Sequence, residues 1–208
     1  MQASEIELKF PVADPAAFQS ILPAIGFHLD TSRTFEQNTL YDTPGRELRA
    51  RRQLLRLRQY GSVWTITHKR LPEQPEGPES KYKVRIETET HVDDGEAAAE
   101  IFCHLGYAPV FRYEKYRTEW SQMPLFAAER ADGCIGHLVV DETPIGNYAE
   151  LEGPTDWIDS MLELLDIDPA SCITDSYGKL FDLWKRRTGS PVEHLTFAEI
   201  EAPVLISQ

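Results

Sequence analysis

The feature of this 208-residue chain that most restricts its fold is an alternation of charged and aliphatic residues that returns on segment after segment. It starts in SEIELKFPV, where Glu5, Glu7 and Lys9 alternate with Ile6 and Leu8. A β-strand repeats every two residues, so the three charges share one face and the aliphatics the other. Arg56 and Arg58 repeat the pattern against Leu55 and Leu57, as do Thr65, Thr67 and Lys69 against Trp64 and Ile66. Lys81, Lys83, Arg85, Glu87 and Glu89 form an unbroken charged face opposite Val84 and Ile86. Lys115, Arg117 and Glu119 align, Glu150 and Glu152 flank Leu151, and Asp141 ends the run His-Leu-Val-Val.

Extended segments are expected at FEQNTLYDT, QLLRLRQY, SVWTITHKR, SKYKVRIETETHV, FRYEKYRTEW, HLVVDET and YAELEG. QYGSV and PIGN suit tight hairpin turns, and LPEQPEGPES is a Pro/Gly-rich loop. Helices are expected at DPAAFQSIL, with Asp14 as N-cap and Pro15 at the first helical position, and at DDGEAAAEIFCHLGY, capped by Asp93 or Asp94 and stopped by Gly106. TDWIDSMLELL and TDSYGKLFDLWKRR supply two more, with Trp157 and Trp184 packing them onto the sheet. Residues 1–188 thus read as one domain, and residues 189–208, without a clear period, as a partly disordered tail.

Two arrangements fit these strands. An open antiparallel sheet would wet one face and cover the other with helices. A sheet of about eight strands can instead close on itself, leaving an interior for side chains or a small ligand. The signs are segregated by strand, acidic at positions 5, 7, 150 and 152 and basic at 56, 58, 69, 115 and 117. Closure would set acidic and basic walls against each other across a wet tunnel, where each charge needs a counter-charge. Guanidinium forks and ammonium groups bind phosphate oxygens, and clustered carboxylates bind hard divalent cations such as Mg2+ or Mn2+. The tunnel therefore suits a polyanion carrying divalent metal.

The formal net charge of -13 argues against a nucleic-acid surface, though not against a small anion held by a local basic cluster. Cys103, Cys134 and Cys172 are far apart, with no CxxC, and read as reduced thiols of a cytoplasmic protein. No signal-peptide pattern or membrane-spanning stretch is present, so no membrane partner is expected. His28, His68, His91, His104, His137 and His194 are scattered without metal-ligand spacing, and YGKLF shares only two letters with a phosphate-binding GxxxxGK loop.

EIELK resembles the ExExK signature of the CYTH superfamily, the triphosphate tunnel metalloenzymes, which include class IV adenylyl cyclases, thiamine triphosphatases and inorganic triphosphatases. The likeness continues in order through QNTLYDT, LLRLR, THK, RIETE, EKYRTEW, DETPIGNYAELEG and SYGKLF, over roughly residues 4 to 187. It implies an α+β fold, a closed antiparallel eight-stranded β-barrel with flanking helices, binding a small-molecule triphosphate with Mg2+ or Mn2+, as a monomer or homodimer. By this resemblance Glu5, Glu7, Asp141, Glu150 and Glu152 are metal-side carboxylates, while Lys9, Arg56, Arg58, Lys69, Arg85, Lys115, Arg117 and Lys179 cradle the triphosphate. Glu5, Glu7, Lys9 and Lys69 are the expected catalytic set, and Glu87 and Glu89 match a further acidic pair. Class IV cyclases often read QxDxYF on the second strand; Thr39 stands where that aspartate would fall, which favours a triphosphatase over a cyclase.

Overall fold

A computed structural model of the chain describes residues 2–73, 82–122 and 136–201; Lys81, Cys134 and positions 74–80 of the Pro/Gly-rich loop lie outside them. The strands are β1 (Gln2–Pro11), β2 (Phe27–Asp42), β3 (Leu54–Tyr60), β4 (Val63–Arg70), β5 (Lys83–Val92), β6 (Ala108–Gln122), β7 (His137–Thr143) and β8 (Gly146–Glu152). All pairings are antiparallel, in the order β1-β5-β4-β3-β2-β6-β7-β8, and β8 returns to β1. The sheet is a closed barrel, the second of the two arrangements that the charge alternation allows.

Closure turns the charged faces inward. Lys9, Glu36, Asn38, Thr65, Thr67, Lys115, Arg117, Asp141 and Glu150 are all buried, although each is polar or charged. Their apolar neighbours along the strands point outward and form separate cores under the helices. Helices α1 (Pro15–Ile21) and α4 (Thr155–Leu164) belong to the largest, where Leu8, Phe10, Leu138, Val140 and Leu151 meet Trp157, Ile158 and Met161. Asp14 caps α1 by accepting the amides of Ala16 and Ala17. Helix α3 (Gly95–His104), capped by Asp94, lays Ala98 and Phe102 on Leu57 and Tyr41, with Leu55, Trp64 and Ile66 at the margin. Its first residue must be glycine for a steric reason, since a Cβ at Gly95 would stand 2.1 Å from the Trp64 ring. A short helix, α2 (Glu47–Ala50), bridges β2 and β3.

Helix α5 (Tyr177–Thr188) lies at one mouth of the barrel, where Tyr177 and Phe181 join Tyr113 and Leu195 in a third core. The polypeptide on either side of α5 is stapled to a strand. Ile173 exchanges backbone hydrogen bonds with Lys9 of β1, at 2.8 and 3.2 Å. Leu195 is fully buried; its amide donates to the Arg112 carbonyl at 3.0 Å, and its carbonyl accepts from Glu114 at 2.9 Å. Both staples occupy edges that a neighbouring strand leaves free, because β5 pairs with β1 only up to Glu7 and β7 pairs with β6 only from Tyr116. After Leu195 the chain forms α6 (Phe197–Glu201), with the Phe197 ring against Tyr116. Residues 190–201, which show no period in the sequence, are thus tied to β6 through Leu195 and Phe197. Strand β2 likewise begins at Phe27 rather than Phe35, its first part following β6 through register shifts.

Candidate functional site

The inner wall divides into two halves of different electrostatic character. The first is centred on Asp141 of β7. Arg117 donates to both its oxygens at 2.7 Å, Lys115 Nζ at 2.8 Å and Tyr177 Oη at 2.7 Å. Arg117 also reaches Glu150 Oε2 at 2.8 Å, and Glu150 is in turn paired with Lys9. Glu36 of β2 approaches Lys115 at 3.4 Å and Arg117 at 3.9 Å. Burial alone would raise the Glu36 carboxyl, but Lys115 and Arg117 outweigh it and hold the group down to about 2. Glu150 also lies well below the carboxylate range, because Lys9 and Arg117 overcome its burial. The ammonium groups of Lys9 and Lys115 stand 4.1 and 5.0 Å from the Tyr177 ring centre. In this half Asp141 and Glu150 are fully committed to cations, while Glu36 Oε2 and Asn38 Oδ1 are buried without a hydrogen-bond partner.

The second half, on β1, β3, β4, β5 and the end of β8, is only partly matched. Lys69 Nζ lies 2.7 Å from both Glu5 oxygens and 3.1 Å from Glu87, and Lys83 is paired with Glu7. Arg56 meets Glu87 and Glu89 only at 3.9 and 3.8 Å, and Arg58 meets Glu89 at 3.6 Å. The Nε atoms of both arginines are buried without a hydrogen-bond partner. Arg85 makes no ion pair among the described residues; burial depresses its guanidinium, Glu7 and Glu5 oppose that, and Arg52 adds to it. Glu152 has no cationic partner among the described residues. Burial pushes its carboxyl up to about 7, Arg117 works against the rise, and Glu150, Glu5 and Glu7 add to it.

Strand register explains the crowding. Glu7 stands directly across from Lys83 on β5 and from Glu152 on β8, so one carboxylate lies between an ammonium and a second carboxylate. Oxygens of Glu5, Glu7 and Glu152 lie within 4.8 Å of one another. Hard oxygen donors at that separation, one lacking any counter-cation, fit a hard divalent ion such as Mg2+ or Mn2+.

The residues expected from the sequence divide accordingly. Glu5, Glu7, Lys69, Arg56, Arg58, Arg85, Glu87, Glu89 and Glu152 line the loosely matched half. Lys9, Lys115, Arg117, Asp141 and Glu150 form the matched network, so Asp141 and Glu150 face cations rather than the cluster of Glu5, Glu7 and Glu152. Lys179 is exposed on α5, and its amide donates to Ser176 Oγ. The helix starts at Tyr177, and its 3.6-residue period sends Tyr177 and Phe181 inward and position 179 to the far side. On β2 the buried tunnel residues are Glu36 and Asn38, so Thr39 faces outward and cannot distinguish hydrolysis from cyclisation by contact with a triphosphate. The sequence reading gave no site role to Glu36, Asn38, Lys83 or Tyr177. Lys83 carries the same period-two signal as Arg85, whereas Glu36 and Asn38 sit on a strand without a repeating charged face.

A family model for the CYTH domain matches residues 3–170. This chain belongs to the CYTH domain family. CYTH-type folds recur among solved structures. A candidate adenylate cyclase from Vibrio parahaemolyticus is 21% identical, with a TM-score of 0.66, over 86% of this chain and 97% of that one. The PH1819 protein of Pyrococcus horikoshii OT3 is 19% identical, with a TM-score of 0.63, over 86% and 99% of the two chains. A Hippeastrum protein named as a candidate adenylyl cyclase with a dominant triphosphatase activity is 18% identical, with a TM-score of 0.54, over 92% and 98%. At these identities the likeness is one of fold. No curated protein matches the chain. No helix among the described residues is long and apolar enough to cross a membrane.

Proposed function

We propose that this CYTH protein is a divalent-metal-dependent triphosphatase, acting on inorganic tripolyphosphate or an organic triphosphate such as thiamine triphosphate or a nucleotide. The observation that carries this reading is the juxtaposition, in one half of the tunnel, of the Glu5, Glu7 and Glu152 oxygens with incompletely paired Arg56, Arg58 and Arg85. Glu5, Glu7 and Glu152 would hold Mg2+ or Mn2+, which when bound neutralises phosphate charge and polarises a phosphoryl oxygen. Arg56 and Arg58 present planar donor forks to phosphate oxygens, with Lys69 and Arg85 beside them. Lys115 and Arg117, already paired with Asp141, Glu150 and Glu36, stand outside this phosphate-binding set. In phosphoryl transfer such positioning and charge stabilisation supply most of the rate.

With water attacking the terminal phosphorus, the products are orthophosphate and the shortened phosphate chain. Water needs no binding surface beyond the tunnel, and Tyr177 and the Asp141 network already fill the half nearest α5. The alternative is a class IV adenylyl cyclase, in which the ribose 3'-hydroxyl of ATP attacks the alpha phosphorus and releases pyrophosphate. A non-catalytic polyphosphate or nucleotide binder is disfavoured by the free carboxylate of Glu152 beside Glu5 and Glu7.

The test is incubation with tripolyphosphate, thiamine triphosphate and ATP, each with Mg2+ or Mn2+, with products resolved by phosphorus NMR. Orthophosphate release that EDTA abolishes supports the hydrolase. Cyclic AMP with pyrophosphate replaces it by the cyclase, and saturable binding without turnover leaves only a binder.

A further inference from the structure

Lys83 holds a position that the triphosphatase reading leaves without a role. Its ammonium is paired with Glu7, the middle carboxylate of the Glu5, Glu7 and Glu152 cluster, and β-sheet register fixes it directly across from that residue. Lys69 occupies Glu5 in the same way, at 2.7 Å, but it has Glu87 at 3.1 Å as a second anion. No second anion is paired with Lys83 among the described residues. Its side chain is also slightly the more exposed of the two, at 20% against 16%.

A divalent cation that takes an oxygen from each of the three glutamates must share Glu7 with this ammonium. Like charges at such separations repel strongly where water is scarce. The two cations therefore compete for one carboxylate, and the metal, with three carboxylates to the ammonium's one, weakens the pair. An ammonium driven off Glu7 has Arg85 as its neighbour on the same face of β5, and a polyphosphate end held by Arg85 offers it its next anion.

We propose that Lys83 is an exchangeable counter-ion: it neutralises Glu7 in the metal-free tunnel, yields it to the divalent cation, and then binds the polyphosphate. This rests on the triphosphatase reading of the tunnel and adds a coupling to it, since a metal that releases a phosphate-binding group raises polyphosphate affinity, and the effect is reciprocal. Lys83 would thus make metal and polyphosphate bind as a pair.

The experiment uses Lys83→Met, which keeps an unbranched stem without the charge, and Lys83→Arg, which keeps the charge. Mn2+ affinity of the substrate-free protein is read by electron paramagnetic resonance. A non-hydrolysable imido analogue of tripolyphosphate is titrated calorimetrically, once in EDTA and once in saturating Mn2+. Removing the competitor should tighten Mn2+ binding about tenfold or more, as expected for loss of one charge-assisted bond, while Lys83→Arg stays near wild type. Lys83→Met should bind the analogue as wild type does in EDTA, but about tenfold more weakly with Mn2+ present. Unchanged Mn2+ affinity in Lys83→Met overturns the exchange, and so does an equal loss of analogue affinity with and without Mn2+, which would make Lys83 a plain phosphate ligand. Glu7→Gln separates the two levels. If wild type and Glu7→Gln bind Mn2+ alike, the metal site itself is misassigned; if only Glu7→Gln loses Mn2+ while Lys83→Met matches wild type, the site stands and the exchange falls.

Discussion

Replacing Glu152 with glutamine tests the cluster at its least compensated member. The carboxyl is held at about 7 in the fold, against 4.5 for an ordinary glutamate. Its folded value is raised, so its contribution to stability is complete below pH 4.5 and is lost as pH rises through 7. At about 1.4 kcal/mol per pH unit the loss has a ceiling of about 3 kcal/mol, which solvent reaching this partly buried side chain reduces to about 1–2 kcal/mol. Glutamine keeps the shape and never ionises. In EDTA at pH 8.5, Glu152→Gln should melt above wild type by about 3–6 °C, at the 2–4 °C per kcal/mol expected for a chain of this size. At pH 4, below the unfolded value of 4.5, the two proteins should melt together. Added Mg2+ should reverse the order, because a ligand at a hundred times its Kd stabilises the wild type by about 2.7 kcal/mol, and the variant has lost one of three carboxylates. The assay is a set of thermal melts across pH, with and without Mg2+. Parallel pH curves for the two proteins would refute the crowding argument, and equal Mg2+ stabilisation would remove Glu152 from the metal site.

Lys179→Ala should leave turnover and polyphosphate affinity unchanged in steady-state and calorimetric measurements, since the side chain is exposed and away from the tunnel. Tyr177→Phe removes one donor from the buried Asp141 carboxylate and should lower stability by about 1–3 kcal/mol in urea unfolding, with a smaller effect on Mg2+ affinity. Gly95→Ala forces a Cβ into the Trp64 ring and should cost about 1–3 kcal/mol by the same measurement, without changing metal affinity in the folded protein.

The sequence carries the barrel because period-two alternation is a local property that most of the strands display. Which ions pair within the barrel is not local. The sequence places Asp141 and Glu150 correctly on an inward face, yet their partners are set by how β6, β7, β8 and β1 register around the closure. Asp141 and Glu150, which the resemblance puts on the metal side, pair with Arg117, Lys115 and Lys9. Lys179 was placed in the tunnel by likeness of motif, whereas the start of α5 and its helical period deliver Tyr177. The segment around Leu195 lacks alternation, and in the first part of β2 it stops at Asp30, where the register shifts begin. Their order comes from unpaired backbone on β6, which no local pattern announces.

The Leu195 staple also bears on where the chain can be shortened. A protein ending at residue 188 would retain every charged side chain of the tunnel and all of α5. It would nevertheless bare the Arg112 carbonyl and the Glu114 amide on an open strand edge, beside aromatic side chains that α6 now covers. Such an edge is a template for another chain's backbone. The defect would surface as self-association that grows with protein concentration, while each molecule still free in solution kept its tunnel.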